Sequence, residues 1–156
     1  MKKIGFIPFR KGSKGIFQKN KRKMVGRPLF TWVLGEAIFS SLDEVYVYTD
    51  DIDIIDFITK EYHWTTKVKA LLRSDESATD TASTESAMLE FCESINYDFD
   101  VFCLLQATSP FTTRNDINSC LDKLNTEYDS ALTVVNTHRF LWDKNGKAIN
   151  YNPLAN

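Results

Sequence analysis

Two short runs of almost unbroken apolar residues, Ile4 to Phe9 and Phe99 to Leu105, constrain this chain more than any other feature. A strand with one solvated face alternates apolar and polar residues, whereas a run without alternation has to be covered on both sides. Strands of that kind sit inside parallel sheets, with helices above and below. The segments between the runs fit. Pro28 stands where a first helical turn begins, and Leu29, Trp32, Val33, Ala37 and Ile38 follow at helical spacing. Glu44 to Thr49 is β-rich and ends at Asp50-Asp51, residue types that cap a second helix with Ile54, Ile55, Ile58 and Tyr62 on one face. Lys67 to Leu72 is a weaker strand candidate, and Ala87, Met88, Phe91, Cys92 and Ile95 mark a third amphipathic helix. Thr113-Arg114-Asn115-Asp116 has capping-box form, with Asp in place of the usual Glu, and opens a helix with Ile117, Cys120, Leu121 and Leu124 inward. Ala131 to Val135 supplies a fifth strand.

This alternation predicts an α/β protein: a three-layer α/β/α sandwich around a Rossmann-like, mostly parallel sheet. A chain of 156 residues suits one core. The α/β domain is expected over residues 1–135. Residues 136–156, which contain the Asn145-Gly146 turn signal, read as a partial hairpin and tail. Ligands of open α/β sheets bind outside the carboxyl ends of the strands. Three unusual loops, residues 10–27, 74–84 and 106–110, all follow strands and therefore gather on that edge.

A formal net charge of −2 conceals an asymmetry. The first 35 residues hold Lys2, Lys3, Arg10, Lys11, Lys14, Lys19, Lys21, Arg22, Lys23 and Arg27 and no acid. A nucleic-acid binder carries a broad basic face on a basic domain, so no nucleic-acid partner is expected. One concentrated basic segment in an acidic protein suggests a local pocket for a small polyanion. No stretch approaches the roughly 18 uncharged apolar residues of a spanning helix, and the start lacks the form of a secretion signal. The expectation is a cytoplasmic protein without a membrane partner. Cys92, Cys103 and Cys120, odd in number and widely spaced, read as buried thiols and not as a disulfide framework or a metal site.

Arg10-Lys11-Gly12-Ser13-Lys14-Gly15 follows the first strand directly. Its glycines allow close backbone approach, its serine offers a hydroxyl, and its cations offset phosphate charge. A cation 4 Å from a phosphate charge is worth about 4 kcal/mol at an effective dielectric of 20, before desolvation is subtracted. The spacing matches neither Walker A nor Gly-x-Gly-x-x-Gly. On residue types alone, a solvated basic loop is an equal reading.

Arg-x-Gly-Ser-Lys-Gly after a strand, then Lys19-Asn20 and Gly26-Arg27-Pro28-Leu29, resembles the nucleotide-binding signature of the acylneuraminate cytidylyltransferases, the CMP-sialic acid synthetases. Thr49-Asp50-Asp51, Arg73 with Ala78-Thr79-Asp80-Thr81-Ala82-Ser83, and Leu104-Leu105-Gln106-x-Thr108-Ser109-Pro110 occur in that family's order. The resemblance covers most of Ile4 to Val135 and corresponds to the family's N-terminal, nucleotide-binding portion. It implies transfer of CMP from CTP to the anomeric hydroxyl of a nonulosonic acid such as N-acetylneuraminate, with release of pyrophosphate and help from Mg²⁺.

It also implies roles. Arg10 and Lys19 would be catalytic, stabilising charge at the α-phosphate. Gly12, Ser13, Lys14 and neighbouring amides would hold the outer phosphates, and Asn20 the sugar or phosphate side of the nucleotide. Arg73 would read the cytosine edge with the backbone near Ala82, and Ser83 would lie near the ribose. Gln106, with Thr108 and Ser109, would meet the acceptor sugar. Asp50, Asp51 and Asp80 follow strands, where acids cap helices or orient loops, and are assigned no metal. Two positions depart from the family pattern: Ala107 stands where a proline is usual, and Phe17 where one is common. The family's Arg-rich segment, dimerisation region and late Asp-x-Asp pair for Mg²⁺ have no counterpart before Asn156. The expectation is a chain that binds nucleotide, transfers little by itself, and in longer form is a homodimer. Two other readings stay open: a cytidylyltransferase for another acidic sugar (pseudaminic, legionaminic or 3-deoxy-manno-octulosonic acid) and a non-catalytic CTP-binding module.

Overall fold

A computed structural model of the chain describes residues 1–12, 15–79, 81–136 and 139–152. Its main sheet has four strands, all parallel: β1 (Lys3–Pro8), β4 (Glu44–Thr49), β5 (Val68–Leu72) and β6 (Val101–Leu104), in the order β5-β4-β1-β6. The uniformly apolar β1 is interior, as its lack of alternation requires, with Phe6 paired to Tyr46 on one side and Leu104 on the other. β2 (Lys23–Met24) and β3 (Arg27–Pro28) form a separate antiparallel pair.

Side chains alternate across the sheet and divide the core in two. On one face, Ile7, Val45 and Val47 pack beneath α1 (Phe30–Ile38), α2 (Ile52–Glu61) and α4 (Arg114–Leu121). On the other, Ile4, Phe6, Tyr46 and Tyr48 meet Ala87, Phe91 and Cys92 of α3 (Thr84–Ser94). The three-layer sandwich expected from the sequence is therefore present, with α3 the one helix among the described residues on its second face. The capping box of α4 is also present: Thr113 Oγ1 accepts from the Asp116 amide at 3.2 Å, and the Thr113 amide donates to the Asp116 carboxylate at 2.8 Å. Cys92 is buried, whereas Cys103 and Cys120 are only partly so, and all three are free thiols. No helix among the described residues is long and apolar enough to cross a membrane.

The expected strand over Ala131 to Val135 is not formed. Leu132 and Val135 are 77% and 83% exposed. β-Rich composition makes a strand only where a partner edge and a surface to cover are available. Residues 129–133 do run near β6, the two lining a cavity of about 660 Å³, but no ladder joins them. The expected hairpin is reduced to one bridge, Trp142 to Ala148, across a turn with Gly146 at φ 78°.

Candidate functional site

The chain leaves β1, passes through α1 to β4 and through α2 to β5, then crosses to the opposite side of β1 for β6. Strand order thus reverses between β1 and β6, and the crevice outside their carboxyl ends is the switch point where open sheets take ligands. Two adjoining cavities lie there. One, of about 330 Å³, is lined by Arg10, Gly12, Gly15, Lys19 and Asn20 from the basic loop and by Gln106, Ala107 and Thr108 beyond β6. The other, of about 270 Å³, is lined by Arg73, Thr79, Ala82, Ser83 and Thr84. Pro8, Phe9, Arg10 and Gln106 line both.

Most residues singled out in the sequence are therefore brought together from three separate loops. Ser109 is not: it lines the larger cavity beside β6, where its amide donates to the Gln106 carbonyl at 3.0 Å. Ser13, Lys14 and Asp80 lie outside the described residues. Arg10 reaches across the crevice, its guanidinium donating to the Thr79 carbonyl at 3.0 Å and so linking the loop after β1 to the loop after β5.

Arg73 is buried, and its neighbours explain how a cation is kept there. Its Nε donates to Ser77 Oγ at 3.0 Å, and a second nitrogen donates to the Ser77 carbonyl. Burial lowers its pKa, against the raising influence of Asp50 and Glu90. Glu90 in turn accepts from the Ser74 amide at 2.9 Å. Burial would raise the Glu90 carboxyl, but hydrogen bonds with Ser77, Tyr48 and Ser74 outweigh it and hold the group below its ordinary value. Ser83 has the structural role open to it: its hydroxyl accepts from the Ser86 amide at 3.1 Å as the N-cap of α3, while the residue still lines the second cavity.

The acids after β4 behave differently from simple caps. Asp51 occupies the N-cap position of α2 but makes no side-chain cap bond; its Oδ2 pairs with Lys21 Nζ at 2.8 Å. Asp50 accepts from the Lys11 amide at 2.6 Å. Ser77, Glu90 and the Lys21–Asp51 pair escaped the sequence reading, because each acts through a partner that only the fold brings near. The available signal was the run of cations in the first 35 residues, which needs counter-charges from somewhere.

A parallel sheet that reverses its order at a cation-lined crevice has the build of a nucleotidyltransferase α/β fold. A family model described as cytidylyltransferase matches residues 4–149. The chain belongs to the cytidylyltransferase family. It is 38% identical over 158 residues to N-acylneuraminate cytidylyltransferase B of Danio rerio, an alignment covering 96% of this chain and 36% of that protein. It is 33% identical to the pseudaminic acid cytidylyltransferase of a Campylobacter jejuni strain, across 79% of this chain and 53% of the relative. The chain thus spans about a third of the length of the N-acylneuraminate relatives it matches. Among solved structures, a CMP:2-keto-3-deoxy-manno-octonic acid synthetase complexed with CTP superposes with a TM-score of 0.65 at 24% identity, covering 78% of this chain and 46% of that one. That likeness supports the fold.

Proposed function

We propose that this chain is the nucleotide-binding portion of an enzyme that transfers CMP from CTP to the anomeric hydroxyl of a nonulosonic acid, releasing pyrophosphate. The observation that carries the reading is the pair of adjoining cavities at the switch point, one lined by loop cations and the other by buried Arg73, with Arg10 and Gln106 common to both. The relatives' names supply the chemistry, since they include N-acylneuraminate, pseudaminic acid and N,N'-diacetyllegionaminic acid enzymes.

Attack of a carboxylated sugar on the α-phosphorus brings two anions together, so the protein's main task is neutralisation and alignment. Arg10 and Lys19 take the α-phosphate charge. Gly12 lets the backbone approach the phosphates, with Ser13 and Lys14 holding the outer ones and Asn20 the nucleotide's sugar or phosphate side. Arg73, with the backbone near Ala82, reads the cytosine edge after exchanging its Ser77 contacts for the base, and Ser83 lies by the ribose. Gln106 and Thr108, across the first cavity from the cations, meet the acceptor, with Ser109 beyond them. In longer form the protein works as a homodimer in the cytoplasm.

Magnesium, which the resemblance implies, finds no ready cage among the described residues. Asp50 and Asp51 are committed to Lys11 and Lys21, and no group of three or more potential ligands occurs among the described residues.

Calorimetric titration of the chain with CTP, UTP, ATP and GTP tests the reading, with CTP expected to bind most tightly. Equal affinity for all four would reduce the site to a generic phosphate pocket. Pyrophosphate release with CTP, Mg²⁺ and a panel of nonulosonic acids, on this chain and on a longer form, then separates an enzyme from a binding module.

A further inference from the structure

We propose that Asp51 is a positioning residue that, through Lys21, holds the turn carrying Lys19 and Asn20 against the phosphate cavity. The inference deepens the reading above and rests on it. Residues 19–21 form a single 3-10 turn, Lys19–Lys21, preceded by Gln18 in the left-handed region at φ 50°. Three residues of 3-10 helix do not hold themselves in place in water. Lys19 and Asn20 line the cavity, and Asn20 is buried with its Oδ1 lacking a hydrogen-bond partner among the described residues. Lys21, the third residue of the turn, faces the other way, to Asp51 at 2.8 Å and Asp53 at 2.7 Å.

Asp51 is fixed at the end of a rigid strand. It is 1% exposed, and its amide donates to Thr49 Oγ1 at 3.2 Å, directly after β4. Asp50 beside it takes the Lys11 amide, so the two adjacent acids grip the basic loop near its entry and near its exit. A buried carboxylate is costly, and a well-packed apolar replacement is often no less stable. Asp51 also forgoes the capping bond that its position offers. A carboxylate that gives up a cap and is buried with one oxygen unpartnered among the described residues is explained by what it holds, which is the turn bearing the cavity's lysine.

The test is a double-mutant cycle on this chain with Lys21→Met, Asp51→Asn and both together. CTP affinity is read by calorimetry, Tm by calorimetric scan, and amide exchange is followed at residues 19–22. Each single variant should weaken CTP binding about tenfold, about 1.4 kcal/mol, and the double variant no more than either one, since both cut the same link. Lys21→Arg should stay within about twofold of wild type because it keeps the charge. Exchange at 19–22 should accelerate in Asp51→Asn and Lys21→Met alike. Additive losses, or a lowered Tm with unchanged CTP affinity, would overturn the proposal. Should Asp51→Asn not fold, Lys21→Met, at a partly buried position, still decides it. If the wild-type chain itself does not prefer CTP, the cytidylyltransferase reading fails, and the exchange rates at 19–22 alone judge the anchor: acceleration upholds it and unchanged rates sink it.

Discussion

The rings of Phe6 and Phe91 pack with centroids 4.6 Å apart, and Phe91 also meets Tyr46 at 4.9 Å and Tyr48 at 5.6 Å. This aromatic cluster joins α3 to β1 and β4. Because α3 is the one helix of the described residues on its face of the sheet, Phe91 carries much of that layer. Phe91→Ala should cost about 3–5 kcal/mol and lower Tm by on the order of 10 °C. Phe91→Leu should cost less than half as much. Denaturant titration of both variants checks it, and equal losses would mean that leucine's apolar volume cannot stand in for the ring.

A second expectation concerns acid. Glu44 accepts from Tyr46 Oη at 2.7 Å, pairs with Lys2 at 3.1 Å and also accepts from Lys69. Burial alone would raise its carboxyl, but the bonds with Lys69, Tyr46 and Lys2 outweigh it and bring the pKa down to about 2 from 4.5. A depressed carboxyl contributes stability that is fully present above the unfolded value and fades as pH falls through the folded one. The window is therefore from about 4.5 down to about 2. Glu44→Gln should cost about 1 kcal/mol at pH 6, given that Lys2 and Lys69 are partly solvated. The difference in Tm between wild type and variant should shrink steadily below pH 4.5; a difference that stayed constant would rule out this linkage.

What could be read from the sequence was what neighbouring residues decide among themselves. The run at Ile4, the helix opened by Thr113 and Asp116, and the gathering of three loops on one sheet edge all follow from local pattern plus a rule of topology. The run at Phe99 does form a strand, but at the sheet's edge, only partly buried and with Leu104 exposed, because no further strand among the described residues pairs with it. Asp51 could not be read this way: its type and place said cap, but Lys21, thirty positions earlier, takes its carboxylate. Ala131 to Val135 failed for the converse reason, since its composition is that of a strand and the fold supplies no ladder beside it. Val25 is a third case. With Val25 at φ 50° and Gly26 at φ 87°, a two-residue turn joins β2 to β3, although a β-branched residue is unfavourable there.

Gly5 lies in the middle of β1, where a Cβ would stand 2.8 Å from Leu42 Cδ1, 3.5 Å from Leu105 Cδ1 and 3.6 Å from Val45 Cγ1. Leu42 is buried and has little room to withdraw. Gly5→Ala should therefore destabilise by about 1–3 kcal/mol despite the better strand propensity of alanine. Leu42→Val removes the offending methyl, so the double variant should cost less than the sum of the two singles. Strict additivity in denaturant titrations would show that the crowding is relieved elsewhere.

The cations at the crevice should separate binding from folding. Lys19→Ala removes a half-buried loop side chain and should change stability by no more than about 0.5 kcal/mol. Arg10→Ala also loses the bond to the Thr79 carbonyl, so a cost of about 1 kcal/mol is expected. Both should weaken CTP binding in calorimetric titrations, Arg10→Ala more strongly, because Arg10 lines both cavities and ties the loop after β1 to the segment around Thr79. If the proposed transfer reaction holds, the same changes in a longer form should lower kcat for CMP transfer far more than they raise KM for CTP. Charge at the α-phosphate grows between ground state and transition state, and only interactions that strengthen along that path accelerate the step. Normal turnover in both variants would leave the loop a solvated basic segment and remove Arg10 and Lys19 from the chemistry.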